Sequence, residues 1–341
     1  MKTEQLGRFL PVMVRTAAIL ALCVVILGAY TRLTHAGLGC PDWPGCYGHM
    51  VLPSHEVGLS NAQLAYPEQP IEQTKAWTEM VHRYLAGTLG LLILAIAAVA
   101  IRQRFRAKVF PLALPLLLVA LVIFQAALGM WTVTLKLLPV VVMGHLLGGL
   151  TLFSSLWALN LSVGRAQLTS REHERLNVYQ PWVVLGLVIV VMQVALGGWV
   201  SSNYAGLSCV GFPQCNGQWL PSLNLREGFD LFSPIGVNYQ GGWLDSGARM
   251  TIQVVHRYGA FLTATYVLTL SSLLLFRAKI SAMYPVALTA VLLVFTQFSL
   301  GVLNVIKQLP LSVAVAHNGV AALLLASMVT MSYRIVSKRT R

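Results

Sequence analysis

Glu79-Met80-Val81-His82-Arg83-Tyr84 stands at the entrance to a long apolar run, and Gln253-Val254-Val255-His256-Arg257-Tyr258 stands at the entrance to another. The twins share His-Arg-Tyr and differ three residues before the histidine, where one has Glu79 and the other Gln253. Histidine is the commonest metal ligand, and one at the edge of a membrane helix is a candidate site. A duplicated one with a single acidic partner suggests two related sites, of which only one does chemistry.

The duplication extends outward from these stretches. Gly28-Ala29-Tyr30 through Cys40-Pro41-Asp42-Trp43-Pro44-Gly45-Cys46 is matched by Gly197-Gly198-Trp199 through Cys209-Val210-Gly211-Phe212-Pro213-Gln214-Cys215. Both keep Gly, an aromatic two residues on, Ala-Gly-Leu, and Cys-x5-Cys with Pro two before the second Cys, at a constant offset of 169. The offset is 174 at the histidine twins and 172 between His145 and His317, and Gln125-x-x-Leu128-Gly129 returns as Gln297-x-x-Leu300-Gly301. This is an internal repeat of four helices.

The chain has 341 residues, 56% hydrophobic and 10% charged. A soluble domain carries roughly a quarter charged residues, so the composition is that of a polytopic membrane protein. At about 20 apolar residues per span, eight candidates lie near 11–30, 80–101, 110–131, 139–163, 181–201, 250–276, 282–303 and 311–333. The first is expected to span rather than to be cleaved, because Gly28-Ala29-Tyr30-Thr31-Arg32 lacks a small-x-small site.

A net charge of +13 would suit nucleic acid, but the charge is placed otherwise. Basic residues gather at Lys2, Arg8 and Arg15, at Arg102, Arg104, Arg106 and Lys108, and at Arg165, Arg171 and Arg175. They gather again at Arg277 and Lys279, and at Arg334, Lys338, Arg339 and Arg341. These are alternate connections, all on one side of an eight-helix thread. The positive-inside rule makes that side, and both termini, cytoplasmic. The long connections 31–79 and 202–249 fall on the other side, with the cysteines. The basic balance therefore reports topology, and no nucleic-acid partner is expected.

Four helices is an even number, so both copies enter the membrane in the same direction, unlike the inverted repeats of many transporters. The expected fold is all-α and polytopic, with eight transmembrane helices in two tandem pseudo-symmetric four-helix bundles. The bundles are expected at 1–163 and 181–341, joined by a cytoplasmic linker over 164–180.

His82, His145, His256 and His317 lie at or just inside the starts of the second, fourth, sixth and eighth runs, hence at one depth. Two facing histidines in a four-helix bundle can ligate both axial positions of a haem, pairing His82 with His145 and His256 with His317. His35, His49, His55 and His173 read as loop residues, and a metal role beside the first cysteine pair is a minor alternative. Arg83 and Arg257 are candidates either for bidentate contact with haem propionates or for snorkelling to the headgroups. Cys40/Cys46 and Cys209/Cys215 are expected to form disulfides, structural or redox-active, in extracytoplasmic loops. Cys23 reads as a buried small hydrophobe.

Glu79 shares the face of His82 about one turn outward. It can act as a base or electrostatic stabiliser beside a bound porphyrin, or be an N-terminal charge favoured by the helix dipole. Gln253 can hydrogen-bond but cannot take a proton.

The looped cysteine pairs, Glu-x-x-His-Arg on the second helix and His on the fourth, sixth and eighth resemble the haem A synthase family, in its bacterial form with two cysteine pairs. The likeness runs from Gly28 to about Val320. It implies oxidation of the ring methyl of haem O to a formyl group by successive hydroxylations. It implies that His82 and His145 hold the substrate haem with Glu79 as the catalytic residue, and that His256 and His317 hold a permanent haem b that relays electrons. It further implies a role in activity for Cys40 and Cys46, a bacterial inner-membrane location among lipid, haem O synthase as pathway neighbour, and haem-copper oxidase assembly as destination. The residues alone reach two bis-histidine haem sites, one with a carboxylate. Rival readings are a dihaem b-type electron carrier, a thiol–disulfide oxidoreductase and, weakest, a transporter.

Overall fold

Runs of twenty or more apolar residues fold as helices in a membrane because only the helix satisfies its own backbone there. The computed structural model describes residues 2–107, 112–164, 168–278 and 280–336, without the side chains of 2–8, 106 and 107. Lys108, Arg165, Lys279, Lys338, Arg339, Arg341 and the start of the third candidate span at 110–111 lie outside the described residues.

Within them are α1 (Lys2–Leu33), α2 (Glu56–Ala65), α3 (Gln73–Ala107), α4 (Ala113–Thr134), α5 (Pro139–Val163) and α6 (Ser170–Asn177). The second half has α7 (Gln180–Ser202), α8 (Leu225–Gly228), α9 (Ser246–Leu273), α10 (Tyr284–Ile306) and α11 (Leu311–Val336). Eight of these, all but α2, α6 and α8, are long and apolar enough to cross a membrane. The eight expected spans are all present. Pro139, Pro181 and Pro285 open α5, α7 and α10, where a missing N–H costs nothing. Asp245 caps α9 by accepting from the Ala248 N–H at 2.6 Å.

Helices α1, α3, α4 and α5 close one ring, each touching the next, and α7, α9, α10 and α11 close the other. The rings meet through α1 against α11, α5 against α7, and α5 against α11. One apolar core runs through both, from Val14, Ile93, Leu118 and Leu156 to Val267, Met283 and Met328. Small residues let the backbones approach: Gly319 of α11 faces Ile26 of α1, and an added Cβ would stand 3.3 Å from Ile26 Cγ1. Trp157 of α5 donates its indole N–H to Thr330 Oγ1 of α11 at 2.8 Å, a polar tie between the halves. Leu91, Ile123, Leu292 and Phe295 point outward, as lipid-facing positions do.

Three expectations need correction. Helix α3 starts at Gln73, so Glu79 sits more than a turn inside it, beyond the first-turn reach of the helix dipole. Cys23 is exposed on α1, on a span whose outer face meets lipid, where a small apolar side chain is equally at ease. His173 lies on α6, not in a loop. That helix forms because Thr169 and Glu172 make a capping box, each accepting a hydrogen bond from the other's backbone N–H. Leu176 of α6 is buried, and Arg175 donates to the Ala278 carbonyl at 3.2 Å, fastening the linker under the second half.

The α4–α5 and α10–α11 turns carry matching left-handed pairs, Lys136 and Leu137 at φ 47° and 62°, and Gln308 and Leu309 at 57° and 58°. Their leucines pack on the cysteine-loop glycines. A Cβ on Gly37 would stand 3.4 Å from Leu137 Cδ2, and one on Gly206 2.8 Å from Leu309 Cδ1. The repeated Ala-Gly-Leu is thus the seat of a leucine from the opposite turn.

The candidate active site and its twin

Each of the four helix histidines lays its ring against a glycine of the neighbouring helix. A Cβ on Gly28 would stand 3.0 Å from His82 Cε1, and one on Gly129 3.4 Å from His145 Cε1. In the second half the distances are 3.2 Å from Gly197 to His256 Cε1 and 3.2 Å from Gly301 to His317 Cε1. The glycines are cradles, and a methyl would crowd the ring at Gly28, Gly197 and Gly301 while just touching it at Gly129. They were visible in the sequence only as repeat markers. The usable signal was a glycine kept inside a helix, in both copies, with no turn to make.

His145 is an electrostatic neighbour of His82, and His317 of His256, so the structure brings the expected pairs together. Nδ1 of His82, His145 and His317 is buried without a hydrogen-bond partner. Buried polar atoms left bare are costly, and imidazoles facing in pairs across a bundle suit the two axial positions of a haem iron. Among the described residues there is no group of three or more His, Cys, Asp or Glu that could hold a bare metal ion.

Both cysteine pairs are bonded, Cys40 to Cys46 and Cys209 to Cys215, with Cα atoms 4.8 and 4.9 Å apart. In each loop the second cysteine makes an isolated bridge, Cys46 with His49 and Cys215 with Gln218.

The Arg and Tyr of the repeated motif tie these loops over the histidines. Arg83 donates through Nη1 to the carbonyls of Asp42 at 3.0 Å and Pro44 at 3.2 Å, and also to that of Gly45. Tyr84 donates to the Met50 carbonyl at 2.6 Å. Arg257 donates to Gly211 at 2.9 Å, Gln214 at 3.2 Å and Cys209, while Tyr258 reaches the Trp219 carbonyl at 3.5 Å. His-Arg-Tyr is therefore one ligand candidate followed by two straps. Neither strap was foreseen, because the carbonyls they hold belong to loops some forty residues earlier in the chain.

The unshared residue makes the difference between the loops. Glu79 is 5% exposed, accepts from the Cys40 N–H at 2.9 Å through Oε2, and receives Nη2 of Arg83 at 2.6 Å on Oε1. A carboxylate in the span is thus joined directly to the disulfide. Gln253 instead donates to the Gly206 carbonyl at 3.3 Å and leaves its Oε1 buried and unpartnered. Gly39 makes the first contact possible, since a Cβ there would stand 2.6 Å from the backbone carbon of Lys75.

The remaining loop histidines are elsewhere. His55 precedes α2 as its N-cap residue. His35 stacks on Tyr204 with centroids 5.7 Å apart, and Arg32 lies 3.8 Å over the same tyrosine ring while donating to the Ser201 carbonyl at 2.6 Å. Burial, then the charges of Arg32 and Lys75, hold the His35 ring below the ordinary histidine range.

Known proteins resemble this chain over nearly its whole length. A heme A synthase of Shewanella oneidensis is 45% identical over 321 residues, covering 94% of this chain and 95% of its own. Heme A synthases of Shouchella clausii and Rhizorhabdus wittichii are 27% and 25% identical over 94% and 91% of this chain, and 93% and 89% of theirs. Residues 12–329 match the COX15-CtaA model, described as cytochrome oxidase assembly protein. With the repeat markers, histidine cradles and cysteine loops all inside the matched region, the chain belongs to the COX15-CtaA family, the family of the haem A synthases.

Proposed function

We propose that the protein is a haem A synthase, a membrane enzyme that oxidises the ring methyl of haem O to a formyl group by successive hydroxylations. The observation that carries this is the one ionisable difference between the two repeated His-Arg-Tyr stretches: a buried carboxylate, Glu79, where the twin has Gln253. The substrate haem is held by His82 and His145 in the N-terminal bundle, 1–163. A resident haem b is held by His256 and His317 in the C-terminal bundle, 181–341, and supplies electrons. Arg83 pairs with one oxygen of Glu79 and the Cys40 N–H fixes the other, so the carboxylate is held in place against the Cys40–Cys46 loop. A carboxylate so placed can take and return a proton beside the reacting methyl. Arg83 and Arg257 also stand where propionates at the pocket mouth could share their guanidinium groups with the loop carbonyls.

The basic clusters support cytoplasmic termini and a cytoplasmic linker at 164–180, which puts both disulfide loops on the extracytoplasmic side of a bacterial inner membrane, among lipid. The enzyme then receives haem O from haem O synthase and delivers its product to haem-copper oxidase assembly.

The test is Glu79→Gln, expressed in a host without the activity, with pigments extracted and weighed by mass spectrometry. Haem binding persists and haem A disappears. Undiminished haem A overturns the catalytic role, and wild-type protein carrying haem B alone, with no haem A formed in the host, favours an electron carrier.

A further inference from the structure

The two sites differ at a second place, one that the motifs do not mark. His256 is the one of the four whose Nδ1 has a partner: the carboxamide of Gln193, one turn along α7 from the cradle Gly197. Its Nε2 lies 3.1 Å from His256 Nδ1 and donates at 3.0 Å to the backbone carbonyl of the same residue. Gln193 fits there because the facing position on α9 is Gly259, where a Cβ would come within 2.2 Å of Gln193 Oε1. In the first half the equivalent positions hold Val24 and Leu85. Both members of the pair change together: amide with notch in one copy, apolar with filled notch in the other. His82 Nδ1 is left bare.

We propose that Gln193, seated over Gly259, is the positioning residue that makes the C-terminal site retain its haem, and that Val24 and Leu85 leave the N-terminal site free to exchange its own. The proposal rests on the haem reading above. An axial histidine is held by whatever its second nitrogen bonds, and loss of such a partner typically costs 10- to 100-fold in metal affinity. An imidazole that gives Nε2 to iron carries its proton on Nδ1, and a carboxamide suits the task because turning its Oε1, which has no other partner, toward the ring lets it accept from that N–H. A resident cofactor needs that hold. A site that takes in substrate and releases product at every turnover is served by its absence.

The experiment uses the purified full-length protein with excess apomyoglobin as haem acceptor, followed in the Soret band. Wild type releases haem in a fast and a slow phase, and the slow phase survives His82→Ala. In Gln193→Leu the slow phase accelerates roughly 10- to 100-fold and the midpoint potential of that haem rises, because an imidazole without an Nδ1 acceptor is a poorer donor to ferric iron. Gln193→Glu restores both. In Val24→Gln/Leu85→Gly the fast phase slows. If Gln193→Leu does not fold, the double substitution decides alone. Phases and potential at wild-type values in these variants overturn the proposal, whereas wild-type protein that binds no haem overturns the haem reading itself.

Discussion

Replacing Gly28 with alanine puts a methyl 3.0 Å from Cε1 of His82. Carbon atoms in ordinary contact sit about 3.5–4.0 Å apart, so the ring or the helix must move by half an ångström or more. Overpacking of this kind costs about 1–3 kcal/mol, which at about 1.4 kcal/mol per decade weakens haem binding at the N-terminal site roughly 5- to 150-fold. The same change at Gly129 leaves 3.4 Å to His145 Cε1, close to ordinary contact, and lowers affinity by no more than about a factor of two. Gly197→Ala and Gly301→Ala, both at 3.2 Å, fall between and act on the C-terminal haem. Helix stability moves the opposite way, since alanine is favoured over glycine in a helix interior by about 0.8–1 kcal/mol, so lost haem cannot be put down to a weakened helix. Haem per protein by Soret absorption, with titration of haem into depleted protein, gives the ranking. Gly129→Ala losing as much haem as Gly28→Ala, or Gly28→Ala binding like wild type, refutes the cradle.

Other outcomes follow from the same geometry. Arg83→Met and Arg257→Met each remove three bonds to loop carbonyls, but only Arg83→Met also leaves a carboxylate, Glu79, buried without its cation, a further loss of about 3–5 kcal/mol. Amide exchange over 40–48 should therefore rise more in the first variant than exchange over 209–217 in the second. Thr330→Val strips the Trp157 indole of its partner between the halves and lowers thermal stability by about 0.6 kcal/mol, read by melting in detergent. Thr169→Ala frays α6 by about 0.5–2 kcal/mol, seen as faster exchange across 169–177. The bonds from Thr169 hold the Glu172 carboxyl below its usual range. Its share of the cap is therefore complete above the ordinary Glu pKa and lost as pH falls through the lowered value, which the same exchange measurement follows.

The eight helices were legible because apolar run length is read directly against bilayer thickness, and the repeat was legible because its markers recur at fixed offsets. Glu79 stood out only against Gln253; alone it is one carboxylate near a helix start. The cradles were half legible, glycines noticed but unassigned, because a sequence gives no register between α1 and α3 or between α4 and α5. The Arg83 and Arg257 straps were not legible at all: their acceptors are backbone carbonyls, which every residue has. Gln193 escaped because a polar residue in an apolar span reads as ordinary until the ring it touches is known. Cys23 and His173 were misplaced for the complementary reason, since which face a lone residue takes is settled by neighbours from other helices.

Arg32 bonds Ser201, and His35 stacks on Tyr204; both pairs are separated by 169 residues, the repeat offset itself. A position that touches its own equivalent lies on a two-fold axis, and such self-contacts are the mark of an isologous dimer. The molecule is arranged as a homodimer whose subunits have been written into one chain. In a true homodimer every change appears on both sides of the axis, so a carboxylate gained at one site is gained at the other. Covalent fusion lifts that constraint. It is what allows the residue at Ser201 to differ from Arg32, Tyr204 from His35, Gln193 from Val24 and Gln253 from Glu79, and so allows the two copies of one pocket to diverge within a single fold.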